Sequence, residues 1–165
     1  MSDLNSLVSQ MLVDALHGKG SHVDTLGALE GLKWMDAGER PGRVRHSVYR
    51  TLNHMTFWQD LYVKRMRGEV VHGPEHAAGG WPGPEEPGSS RHWAAALERF
   101  RTGLEAMVEQ ARTGDLERVV DEKNGTTAVE AIHIIAAHNS YHLGQIVLLR
   151  RSQGAWPPPG GGDTW

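Results

Sequence analysis

Residues 127–152 read TAVEAIHIIAAHNSYHLGQIVLLRRS, and this stretch decides the fold. It opens with Thr127 and, three residues on, Glu130, the spacing of a capping box in which both side chains satisfy free amides of a first helical turn. Ala131, Ile134, Ile135, Ile146 and Leu149 then recur along one stripe at helical intervals. Gly154 and the run WPPPGGG forbid continuation. The spacing predicts a helix from about Ala128 to Ser152, roughly 37 Å long at 1.5 Å per residue.

Upstream of the turn residues Asn124 and Gly125, the apolar series Trp93, Ala96, Leu97, Phe100, Leu104, Met107, Val108 and Ala111 predicts a second helix. It is capped by Ser89 or Ser90 and ended by Gly114. Residues 72–88, HGPEHAAGGWPGPEEPG, hold four prolines and read as a long surface loop without helix or strand. Before it, SVYRTLNHMTFWQDLYVKRMRG starts a helix at Ser47, with Val48, Leu52, Met55, Tyr62 and Met66 near one line. From Ser21 to about Arg45 the chain is mostly connection, with a short helical turn before Gly31. Leu4, Leu7, Val8, Met11, Leu12, Ala15 and Leu16 mark a first helix that Gly18 and Gly20 end. No stretch alternates with period two, so no strand is expected. Four amphipathic helices bury their stripes against one another, which predicts an all-α four-helix bundle, a single domain over 1–165 with an irregular tail at 154–165. The proline run and Trp165 pack either on the bundle or on a partner.

Composition narrows the function. A net charge of -3 with scattered Lys and Arg argues against nucleic acid, and the N-terminus has neither the basic leader of a signal peptide nor an apolar span for a membrane. A cytoplasmic protein is the expectation. With no cysteine, histidine and carboxylate remain as ligands for a transition metal, and there are ten histidines.

His138 and His142 lie about 40° apart on one helical face, so both imidazoles reach a single point. Their stripe points into the core, where two polar rings are costly unless paired. Either a metal ion or a hydrogen bond between the rings resolves that cost. A third ligand must come from another helix, and His54, with Thr51, Trp58 and Leu61 on its side, is the candidate; a structural histidine is the alternative. Gln145 shares the face of His142 and reads as a ring or substrate contact, or as a surface glutamine. Trp58 walls a pocket or packs in the core. Asn139 and Tyr141 point partly away and carry no assigned role, and Gly144 is read as permitting close helix approach. A dinuclear carboxylate centre needs two Glu-x-x-His motifs, and only Glu130 with His133 supplies one.

The segment HNSYHLGQIVLLRR, with its His-x-x-x-His-x-Gly-Gln pattern, resembles the last helix of the DinB/YfiT-like superfamily, and SVYRTLNHMTFWQDL resembles that family's second helix. The resemblance implies that His54, His138 and His142 bind one divalent ion, nickel or zinc first and iron, manganese or cobalt next. It implies a homodimer and a small-molecule substrate, since characterised relatives include transferases and isomerases that use bacillithiol, mycothiol or glutathione. The leading expectation is a metal-dependent thiol S-transferase. The alternatives are a metal-dependent hydrolase and a non-catalytic stress-related protein with a structural ion. No general acid or base is identifiable.

Overall fold

The computed structural model of the chain describes residues 3–162, so Trp165 lies outside them. The described chain is mostly helical. Its long helices are α1 (Leu4–His17), α3 (Val48–Met66), α4 (Ser90–Thr113) and α5 (Ala128–Ser152), with a short α2 (Trp34–Gly38) between the first two. Local chemistry sets their ends. Gly18, at φ 74°, closes α1 in the left-handed region. The hydroxyls of Ser47 and Ser89 accept from the amides of Arg50 and His92 to start α3 and α4. Thr127 and Glu130 form the full reciprocal box at α5.

The long helices pack in a ring, with α3 against α4 and α5, and α1 against the same two. The interior they enclose has two apolar halves. One gathers Leu12, Leu16, Met66, Leu104, Met107 and Ile132, the other Leu52, Met55, Trp93, Phe100, Ile146 and Leu149. Between them lies a polar pair, Gln59 and Asn139, whose amides bond at 3.0 Å with both residues buried. Gly103 on α4 makes space for it, since a Cβ there would stand 2.9 Å from the Gln59 amide nitrogen. A glycine inside a helix costs about 1 kcal/mol against alanine; here the glutamine occupies the room.

Several expectations are corrected. Val119–Asp121 and Thr126–Thr127 form a small antiparallel β pair, β1 and β2, around the Asn124-Gly125 turn. Strands this short leave no alternation to read. The connection from 21 to 45 carries the expected helical turn, a 3-10 turn at Gly27–Leu29, but it also forms α2 and buries Leu29, Leu32 and Ala37. Residues 72–88 include a 3-10 turn at Ala77–Gly80, and part of this loop faces the core rather than solvent. Ile134 is 44% exposed and leaves the core stripe, lining up instead with the exposed Tyr141 and Leu148. A Cβ on Gly144 would meet nothing within 4 Å, so this glycine does not serve close helix approach within the chain. The proline run packs on the bundle: Pro158 is buried and Pro159 lies against Gly31. No helix among the described residues is long and apolar enough to cross a membrane.

Candidate metal centre

His54 sits in the second turn of α3, and His138 and His142 sit near the middle of α5. Because these two helices pack together, the rings meet. A ring nitrogen from each lies within 4.8 Å of the other two, and this is the one group of three or more potential ligands found among the described residues. His54 Nε2 and His138 Nε2 stand 3.0 Å apart. The His142 ring is centred 4.7 Å from His54 and 4.5 Å from His138.

The outward nitrogens set the tautomers. His54 Nδ1 donates to the Gly80 carbonyl, and His142 Nδ1 donates to Gln145 Oε1 at 2.8 Å. The Nε2 atoms of both rings then carry lone pairs. His138 Nδ1 is buried without a well-formed hydrogen bond, although the Asn139 side chain beside it is near enough to raise its pKa.

Burial is the largest influence on all three rings and lowers their pKa values. His54 and His138 fall to about 4, helped by the repulsion of the neighbouring histidines, and His142 is lowered as well. Low pKa values disfavour an added proton at neutral pH, so the rings are neutral. With its own proton on Nε2, His138 donates to His54 Nε2 at 3.0 Å; with that proton on Nδ1, three lone pairs turn to one buried point, where a cation offsets their repulsion. The donor set therefore fits a divalent transition ion, which takes neutral imidazole nitrogen readily.

The loop forms one wall of the site. Trp81 stacks on His54 with centroids 3.7 Å apart and 5° between planes, and His46 stacks on Trp81 at 4.1 Å. Glu85 ties this segment to the start of α3. It accepts from the Ser47 amide at 2.9 Å, from Arg50 Nη1 at 2.6 Å and from His46 Nδ1 at 3.0 Å. Arg50 Nη2 also donates to the Trp81 carbonyl at 3.2 Å. Burial pushes the Glu85 carboxyl up, but the Ser47, His46 and Arg50 bonds outweigh it and hold the pKa at about 2. Trp58 presents its ring edge-on to His54 at 6.4 Å and to His138 at 6.5 Å.

All three predicted ligands thus come together, with Gln145 and Trp58 in contact with them. His72 and His76 are exposed, as is His133, while Glu130 is engaged in its capping box. Sequence reasoning missed Gly80, Trp81, His46, Glu85 and Asn139. The loop's composition argues only against regular structure, and its one signal is a tryptophan amid glycine and proline. A cavity of about 570 Å³ lined by Tyr49, Asn53, Phe57, Lys64 and Arg99 contains none of the three histidines and gathers no comparable donor set, so the histidine cluster is the better candidate.

Fold and site together define a class, a helical bundle with a buried trihistidine cluster built from two of its helices. The family model described as DinB superfamily matches residues 20–146, well over half of the chain and including all three histidines, and the chain belongs to that superfamily. No curated protein and no solved structure matches it.

Proposed function

We propose that the protein is a divalent-metal-dependent enzyme of the thiol S-transferase type, with His54, His138 and His142 as ligands of one nickel or zinc ion and a small thiol as one substrate. The carrying observation is the convergence of the three rings, with two Nε2 atoms 3.0 Å apart. His54, His138 and His142 would hold such an ion, which would supply a Lewis acid able to bind a thiol or water and lower the pKa of either. The residues supply the rest. Burial keeps the rings neutral at pH 7, so no proton competes for the lone pairs. Gly80 and Gln145 fix ring orientation, as the outer partners of metal-binding histidines generally do. Trp81 and Trp58 restrict water on the His54 side. The exposed line Ile134, Tyr141 and Leu148, at intervals of seven on α5, supports a homodimer that covers it.

The test is elemental analysis of untagged protein beside His142→Ala. The parent is expected to retain close to one transition-metal ion per chain and the variant almost none. Screening of thiol and electrophile pairs with the loaded parent then tests the activity. A parent without metal, or a variant that retains it, would remove the site assignment.

A further inference from the structure

Each of the three rings needs an acceptor behind it, and the chemistry of that acceptor sets the charge of the site. For His54 it is the Gly80 carbonyl, and for His142 the amide oxygen of Gln145. Behind His138 the structure leaves two unmatched atoms, His138 Nδ1 and Asn139 Oδ1, both buried and without a hydrogen-bond partner. Asn139 has already committed its Nδ2 to Gln59 Oε1 at 3.0 Å, and Gln59 has committed its Nε2 to the Phe100 carbonyl at 3.2 Å. The oxygen is the Asn139 side-chain atom that carries no bond. In the tautomer that turns the His138 lone pair toward His54 and His142, its Nδ1 carries the proton, so a donor and an acceptor stand unpaired on consecutive buried residues, and burial makes leaving both unpaired costly.

All three acceptors are then uncharged amide oxygens. Among the described residues no carboxylate bonds to any of the three rings. Glu85 is engaged by Arg50, His46 and the Ser47 amide. Many histidine metal sites place a carboxylate behind a ligand ring, which offsets part of the ion's charge. This one has neutral ligands and neutral acceptors throughout.

We propose that Asn139, held by Gln59, is the acceptor behind His138, and that the neutral acceptors of Gly80, Gln145 and Asn139 together set a higher affinity for an added anion than the same centre would have with a carboxylate behind one of its rings. The inference rests on the metal-centre reading above. Its physical basis is that a divalent charge left uncompensated in a poorly screened interior attracts an anion far more strongly than a neutral donor.

Cobalt(II) serves as the probe metal and azide as the probe anion, followed through the visible spectrum of the cobalt protein. Azide is expected to alter the spectrum of the loaded parent. Gln145→Glu, at an exposed position, and Asn139→Asp each place a carboxylate behind a ligand ring, and each should weaken azide binding on the order of tenfold while cobalt is retained. Asn139→Ala should lower cobalt affinity by about 10- to 100-fold. A loaded parent that ignores azide, or a Gln145→Glu protein that binds it as the parent does, overturns anion selection. Unchanged cobalt affinity in Asn139→Ala removes Asn139 from the site. A parent that develops no cobalt spectrum overturns the metal centre itself, and the missing spectrum distinguishes that failure from the others.

Discussion

Three imidazoles held neutral by burial make the centre sensitive to acid. His54 and His138 titrate at about 4 in the folded protein, against 6.5 for an ordinary histidine. Between those values the unfolded chain binds more protons than the folded one, so stability against unfolding decreases as pH drops from 6.5 toward 4. Above 6.5 both states are neutral at these rings, and their contribution does not change with pH. Urea denaturation of the metal-free protein across this range is expected to show the loss. Replacing both histidines with glutamine should flatten the profile, and an equally steep profile in that variant would assign the acid sensitivity to other groups. At this scale the His138 and His142 pair was legible, because four residues along a helix is a fixed geometry. Asn139 was not, because a position 100° around the helix faces the core only once a neighbouring helix presents Gln59 to it.

The elements divide in the same way. α5 could be read from Thr127 to its last turn because caps and apolar spacing act between neighbours in the chain. The loop wall could not, since residues 80–85 are ordered by Glu85 through bonds to His46, Ser47 and Arg50, at and just before the start of α3 and 35 to 39 residues away. Glu85→Ala removes those acceptors and leaves the buried side of Arg50 and His46 unmatched. It should cost roughly 1–3 kcal/mol. Helical content by circular dichroism should stay unchanged, while metal affinity falls because the Gly80 carbonyl is no longer held behind His54. A variant with parental metal affinity would show that the wall is not needed to orient that ring.

Across the whole molecule, Arg150 joins the parts that the helices alone leave loose. It is 2% exposed and has no carboxylate partner among the described residues, yet it donates to the carbonyls of Ala28 at 2.6 Å, Glu30 at 3.0 Å and Ala155 at 3.0 Å. Trp156 lies against its guanidinium at 5.5 Å. One side chain thereby fastens both the first connection and the tail to the end of α5. Arg150→Met should destabilise the protein by about 2 kcal/mol or more in equilibrium unfolding, since several buried carbonyls lose a charged donor. Arg150→Lys should recover little, because an ammonium lacks the planar fork that reaches three directions. A near-parental midpoint in Arg150→Met would mean that the tail packs through its prolines alone.

By itself the sequence determined the long helices, their caps and the histidine pair one turn apart, all consequences of interactions within a few residues. It also supplied His54 as a candidate, but the residues left its partner open. Only the tertiary structure decided that His54 meets His138 across 84 residues, that Gly80 orients it across 26, and that Gln59 engages Asn139 across 80. Those contacts depend on how α3, α5 and the loop pack, and packing is set by the summed burial of many side chains rather than by any local spacing.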